Sequence, residues 1–531
     1  MPGNSADPPR RPEKWTAAAL ALLGLVFAWR SIATHRTFNE TADEAVHIAC
    51  GLEVWQNGRY TLEPQHPPLA RAILALPPFL AGLRHQDREL VWSDREFYWR
   101  ALSLARSANL VFLPFLLFCV YRWGRDLHGA LAGVAAAALV SFSPSLLAHA
   151  SLATLDFGAA TTQFASAYYF WRWSREPTLR RLPAAAVTFG IATLTKFSAL
   201  LFLPLLAGAF FLLARRERSA AQLRPRAALR LAVIFLAALT AVVWAGYGFE
   251  FGPLPPVEVA APAGTAAERL QLAAHSLLGP RSVPAPRLLA GVLDVVGHNA
   301  QGHSCYLLGR LGQFGWWYYF PVALAVKTTL PLLVAAAIGL AVSRGLMATV
   351  AVVVILSAAM PGNINLGIRH VLVLYPFFGL LASGIFAAAE RRRWLAATGL
   401  ALASWHAVES AAAHPDYLAY FNQIARGREH RFLLDSNLDW GQDLERLRRY
   451  LERNRIGEIQ LSYFGRIQPE RLGLAGVRPL PADSPPAGWV AVSRAHIAGL
   501  ALEKGTNLGW LEAHAPAARI GKSILVFHFP R

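Results

Sequence analysis

The stretch WTAAALALLGLVFAWRSIA, residues 15–33, is followed four residues later by Phe38-Asn39-Glu40-Thr41-Ala42-Asp43-Glu44-Ala45-Val46-His47. The first part is apolar up to Arg30, and about 20 residues of helix cross a hydrocarbon core of ~30 Å. The second part sets acids where that helix leaves the bilayer, and adjacent carboxylates there are costly unless they have partners or chemistry to perform. The whole chain of 531 residues agrees with this reading: 54% is hydrophobic, 16% charged, and the mean hydropathy is +0.33. A soluble domain carries roughly 25% charged residues. The sequence therefore reads as an α-helical polytopic membrane protein. Its net charge of +18, from 51 Lys and Arg against 33 Asp and Glu, lies in short clusters between apolar runs. Such clusters mark cytoplasmic loops and do not line a groove for a polyanion, so nucleic acid is excluded as a partner. Cys50, Cys119 and Cys305 form no metal-type pair, and nothing requires a bridge between Cys50 and Cys305.

Further apolar stretches occupy 103–121, 128–146, 157–172, 182–196, 198–214, 228–247, 318–342, 345–360, 371–389 and 394–411. With the first they predict about eleven spans. Met1 to Arg11 is polar and leads into residues 15–33 without a small-residue cleavage site, so that run is read as a retained helix. Alternate connections are basic: Arg10, Arg11 and Lys14; Arg122 and Arg125; Arg172 to Arg181; Arg215 to Arg230; Arg344; Arg391 to Arg393. The positive-inside rule makes these cytoplasmic and turns the other loops outward.

Two outward loops are long. Residues 34–102 contain an amphipathic stretch, Leu69 to Leu83, interrupted by Pro77-Pro78 and suited to the interface. Residues 248–317 end on the aromatic run Phe314-Gly315-Trp316-Trp317-Tyr318-Tyr319-Phe320, which also suits an interfacial belt. Two domains are expected, a transmembrane part over 1–411 and a small outward α/β domain over 412–531. In the latter, Leu444, Leu447 and Leu451 have helical spacing, and 458–464, 489–493 and 523–529 read as strands.

Asp43-Glu44 is the candidate base pair, with helix capping by Thr41 and Asp43 as the plainer alternative. His66, followed by Pro67-Pro68, and Arg71 offer donors to a phosphate, or are simply snorkelling side chains. Asp156 is the one carboxylate between Asp126 and Glu176. It is either functional or a helix cap. Lys196 and Lys327 lie in apolar surroundings and need partners, and Arg369-His370 return the chain to the outer surface. Among these positions Asp43, Glu44 and Asp156 are the catalytic candidates. His66, Arg71, Lys196, Lys327, Arg369 and His370 are the phosphate candidates. Trp316, Trp317, Tyr318, Asp435, Asn437 and Asp439 have the aromatic, amide and carboxylate groups that bind sugars. An Asx-turn role for Asp435 to Asp443 is equally compatible with the sequence. No P-loop, dinucleotide fingerprint, H-E-x-x-H or G-x-S-x-G is present.

Asp43-Glu44, His66-Pro67-Pro68-Leu69, Asp156, Thr195-Lys196 and the run from Gly315 to Lys327 resemble the C-type membrane glycosyltransferases that use polyprenyl-phosphate sugars. Within them the likeness is to the family 39 group of protein O-mannosyltransferases and lipid A aminoarabinose transferases, over roughly residues 15–390. The resemblance implies that Asp43 deprotonates the acceptor, Glu44 and Asp156 place acceptor or sugar, and His66, Arg71, Lys196 and Arg369 meet the departing lipid phosphate. The aminoarabinose transferases carry a lysine at the position of His66, and the mannosyltransferases have a different outer domain. The expected partners are a polyprenyl-phosphate-linked sugar, a glycan, lipid or protein acceptor, and the bilayer. No cofactor is required by the sequence, although Asp43, Glu44 and Asp156 are able to share a divalent ion. The rival reading is a transporter or flippase of a lipid-linked or anionic solute. That reading calls for ionisable groups near mid-membrane and internal repeats, whereas these charges crowd one face.

Overall fold

The computed structural model of the chain describes residues 14–216, 225–343, 345–389, 392–481, 487–502 and 506–530. Arg10, Arg11, Arg344, Arg391 and part of the basic stretch Arg215 to Arg230 lie outside the described residues, as does Lys504. Each apolar stretch is helical. Among the described residues four helices are long and apolar enough to cross a membrane, namely Lys14–Ile32, Arg95–His128, Ser198–Arg216 and Arg226–Gly246. Two bent pairs raise the number to six, and shorter apolar helices pack among them, including Leu182–Thr195, Leu346–Ala359 and Leu374–Ala389. The close approaches depend on glycine: a methyl on Gly339 would overlap the Leu381 carbonyl oxygen, so the two helices bearing them touch backbone to backbone.

The bent pairs have local causes. The expected span 318–342 breaks into Tyr319–Lys327 and Leu330–Ser343, at 109° to each other. The chain leaves the first helix at Thr328, which is extended (φ −91°, ψ 138°), and Pro331 is acceptable in the first turn of the helix that restarts at Leu330. The carbonyls freed at the break are taken up by the tail, where Asn422 Nδ2 donates to Ala325 O at 2.6 Å and to Thr328 O at 2.7 Å. The expected span 128–146 likewise divides into Ala130–Ser141 and Pro144–Ala150, bent by 64°.

The two long loops contain more regular structure than their patterns predict. The first has helices Glu44–Asn57 and Pro68–Leu80 and the hairpin Arg84–Gln86 with Glu89–Val91. The helices cross at Gly51, where any side chain would overlap the Arg71 carbonyl oxygen. The second has helices Ala266–Leu278 and Pro286–Gln301.

The tail holds helix Leu444–Arg453 and a five-stranded sheet in the order Ala518–Ile520, Ile524–Phe529, Gly488–Ser493, Ile459–Ser462, Val477–Pro479. The first three strands are antiparallel and the last two join in parallel. The expected helix and three strands are in place. One contiguous buried core runs from the bundle into this tail. The first loop caps the tail helix: Asn39 Oδ1 accepts from Leu444 N at 2.8 Å, whereas Asp443, at the capping position, makes no side-chain cap bond.

Candidate active site

Asp43 precedes helix Glu44–Asn57 and makes no capping bond. Its Oδ2 instead lies 2.6 Å from Arg369 Nη1, with the Asp43 side chain 30% exposed. Burial on its own raises a carboxyl, but Arg369, with His66 and Arg466 farther off, outweighs that and holds Asp43 below its ordinary range. Asp43 is therefore an ionised, accessible carboxylate at neutral pH. Arg369 comes from the short helical turn Ile368–Val371 and stacks over Trp440 at 4.4 Å. Burial works against its charge, and Asp43, Asp156 and Asp435 restore it and push its pKa above the usual value. Among the described residues its Nε is buried without a partner.

Asp156 is the first residue of helix Asp156–Arg175 and, like Asp43, makes no cap bond. Its Oδ1 lies 2.6 Å from Lys196 Nζ, and its Oδ2 lies 3.7 Å from His149 Nδ1. Lys196 stands just past the end of Leu182–Thr195 and, among the described residues, its ammonium donates to Asp156 alone, leaving two hydrogens unspent. The capping alternative for both acids is set aside by these ion pairs.

His66 is 32% exposed, with Nδ1 3.1 Å from Glu63 Oε2. Its ring meets His47 edge to face at 5.3 Å. Burial and then Lys196 depress His66 to about 4, with Asp43 and Asp156 countering in part, so the ring is neutral at pH 7. His370 is depressed by burial, Lys196 and Arg369 as well, and among the described residues its Nε2 is buried without a partner. Two carboxylates and two cations thus balance beside neutral imidazoles, and both cations retain donors for an incoming anion.

The structure brings together Asp43, Asp156, His66, Lys196, Arg369 and His370, and Asp435 lies within the field of Arg369. Other sequence candidates are placed differently. Glu44 is fully buried and saturated: Oε1 accepts from Arg106 Nε at 2.8 Å and Ala153 N at 2.7 Å, and Oε2 from Arg106 Nη2 and Thr41 N, both at 2.8 Å. No lone pair is left for an acceptor. Arg71 is equally closed to a phosphate, because all its donors go to His47, Tyr60, Glu63 and His66, which makes it the support of His66. Lys327 is buried, with Nζ 2.7 Å from both Leu418 O and Asn437 O, and ties the broken helix to the tail. Asn437 bonds Tyr319 and backbone groups, and Asp439 accepts from Ala495 N at 3.1 Å. Trp317 is exposed, Trp316 is fixed through its backbone N–H to Asn365 Oδ1 at 2.8 Å, and Tyr318 is half-buried against Trp317. Asp43, Glu44 and Asp156 do not form a common metal site, since each is engaged by its own cation. No group of three or more His, Cys, Asp or Glu among the described residues is arranged to hold a metal ion. The three cysteines are free.

His47, Glu63, Arg106, His149 and Trp440 are the residues sequence reasoning missed. Trp440 and Arg106 reach the site from tens to hundreds of residues away, and no local spacing signals that. His47 had a signal, four residues beyond Asp43 on a helix face.

Residues 104–244 match the sequence model of the family described as dolichyl-phosphate-mannose-protein mannosyltransferase. No curated protein matches the chain in sequence. Among solved structures, ArnT from Cupriavidus metallidurans bound to undecaprenyl phosphate superposes over 96% of this chain and 98% of its own, with a TM-score of 0.51 and 12% identity. The Pmt1-Pmt2 protein O-mannosyltransferase complex of S. cerevisiae, bound to its sugar donor, matches over 45% of this chain and 33% of its own, at 18% identity and a TM-score of 0.35. The Archaeoglobus fulgidus oligosaccharyltransferase in the apo form matches over 90% and 62%, at 13% identity and a TM-score of 0.41. These last two are too distant to bear on the site. The chain is a multi-pass membrane protein with the fold of the C-type glycosyltransferases, similar over residues 104–244 to the protein mannosyltransferases.

Proposed function

We propose that this chain transfers a sugar from a polyprenyl-phosphate donor to an acceptor at the outer face of the bacterial cytoplasmic membrane, with inversion at the anomeric carbon. The observation that carries the reading is the pair of linked ion pairs, Asp43 with Arg369 and Asp156 with Lys196, next to neutral histidines at one end of the bundle. The acceptor hydroxyl or amine attacks the anomeric carbon from the face opposite the phosphate, and Asp43 takes its proton. The anomeric C–O bond breaks with its electrons going to the phosphate oxygen, and polyprenyl phosphate leaves against Arg369 and Lys196. A phosphate is a good leaving group, so the step needs a base and anion stabilisation more than an acid. As Arg369 turns its donors to the phosphate, its hold on Asp43 weakens and the carboxylate becomes the stronger base when the donor is bound. His66 and Asp156 orient sugar and acceptor, and Asp435 and Trp440 close the tail side.

The test is Asp43→Asn in proteoliposomes carrying a labelled polyprenyl-phosphate sugar. A positioned base contributes about 10²–10⁴-fold, so donor consumption falls by that factor while the protein stays folded. Unchanged consumption refutes the assignment, and label that crosses the bilayer intact in the wild type favours transport.

A further inference from the structure

A charged cavity lies in the tail and is lined by neither Asp43 nor Arg369. It has a volume of about 190 Å³ and is lined by Glu429, His430, Leu438, Arg494, Arg519 and Lys522, among others. At ~30 Å³ per water that is room for about six waters or a small hydrated anion. Its lining comes from three places in the chain, and its cations from two of them: Arg494 directly follows strand Gly488–Ser493, Arg519 and Lys522 belong to the hairpin of Ala518–Ile520 and Ile524–Phe529, and the segment after the last apolar helix supplies Glu429 and His430.

The cations have no acidic partners. Among the described residues, neither the Arg494 nor the Arg519 guanidinium makes a hydrogen bond or ion pair, and Lys522 Nζ meets only the Ala419 carbonyl oxygen, at 3.1 Å. Arg446 and Arg95, also partly buried, are by contrast taken up by carboxylates, Arg446 by Asp416 at 2.6 Å and Arg95 by Glu445 at 3.0 Å. Burial and then Arg519 lower the pKa of Arg494, with Glu429, Asp439 and Glu512 countering in part from beyond hydrogen-bond distance. Three like charges therefore converge on one small concave space that holds a single carboxylate. An arrangement of that kind repels itself when empty and is relieved by an oxyanion able to accept several N–H donors at once.

We propose that this cavity is a phosphate-binding site of the tail, in which Arg494 and Arg519 clamp a phosphate monoester or diester oxygen pair and Lys522 supplies the third charge. His430 lines the wall as a neutral donor, and Glu429 limits affinity for the most highly charged anions. Binding there is read without turnover, so its failure is distinguishable from a failure of the glycosyl-transfer reading.

The experiment is calorimetric titration of inorganic phosphate into the full-length chain in detergent micelles. Saturable binding is expected, weakened about tenfold or more in Arg494→Gln and in Arg519→Gln, and strengthened in Glu429→Gln. Arg519 is exposed, so its variant guards against misfolding of the more buried Arg494 variant, and the opposite sign for Glu429 is something a purely structural role does not produce. Repeating the titration in nanodiscs separates the sources. Weaker apparent phosphate binding in phosphatidylglycerol than in phosphatidylcholine discs assigns the site to a lipid headgroup, and equal binding assigns it to a phosphate on a soluble group. Absence of saturable binding, or binding unchanged in both arginine variants, overturns the site.

Discussion

Replacing Glu44 by Gln separates a supporting carboxylate from a reacting one. Glu44 Oε1 accepts from Arg106 and Ala153, and Oε2 from Arg106 and twice from Thr41. A glutamine has one acceptor oxygen, and its favoured orientation keeps the three bonds at the Oε2 position. The amide NH₂ then faces the Arg106 Nε–H and the Ala153 N–H, so two bonds are lost and donors oppose donors. Bonds to charged groups are worth about 1.5–3 kcal/mol each, and breaking a buried ion pair costs about 3–5 kcal/mol. The two routes agree on a destabilisation of about 3–5 kcal/mol. Arg106 also donates to the carbonyls of His35, Phe38 and Asn39, so the loss is felt along the loop leading to Asp43. The assay is reversible denaturant unfolding of the purified protein in detergent, run beside donor consumption per folded molecule. Glu44→Gln is expected to unfold earlier while its folded fraction turns over within a few-fold of wild type, the reverse of Asp43→Asn. A variant of wild-type stability that has lost turnover refutes the reasoning and returns Glu44 to the chemistry.

Gly51→Ala places a methyl against the Arg71 carbonyl oxygen where two site helices cross. Overpacking of this kind costs about 1–3 kcal/mol, visible as a lowered unfolding midpoint. Lys327→Met removes the bonds to Leu418 O and Asn437 O. It should make the tail more susceptible to proteolysis and leave donor affinity unchanged, and a weakened affinity for the donor would restore Lys327 to the phosphate set. Burial raises Asp439 to about 7, against the pull of its bonds from Ala495 and Gly441, while the unfolded carboxyl titrates near 3.8. The folded state therefore holds the proton more tightly. Its contribution is complete below about 4 and is lost as pH rises through about 7. His496, depressed by burial to about 4, contributes in the opposite direction over an overlapping range. The diagnostic is thus the difference between wild type and Asp439→Asn, which should shrink the fall in tail stability between pH 4 and 7. A pH profile identical in the two proteins contradicts this.

The helices of the bundle were legible because lipid imposes a single rule, that apolar stretches of sufficient length become helices with their backbone groups paired internally. The tail strands were legible from their β-rich runs between turns. Breaks within spans were less so: Pro331 marks one, but the fold of the chain at Lys327 depends on Asn422, nearly a hundred residues later, accepting the role of cap. In the site, residue type alone singled out Asp43, Asp156, Lys196 and Arg369, since charges next to apolar runs are costly without partners. Which partner each has was beyond the sequence. Asp43 and Glu44 are neighbours with the same chemistry, and adjacent positions at a helix start point about 100° apart. One therefore turns to the open mouth and Arg369, the other into the core and Arg106. The sequence determined that these carboxylates and cations exist next to apolar runs. Only the tertiary structure decided which remain open to a ligand, because availability depends on unspent hydrogen bonds, and those are counted across elements that meet only in the folded chain.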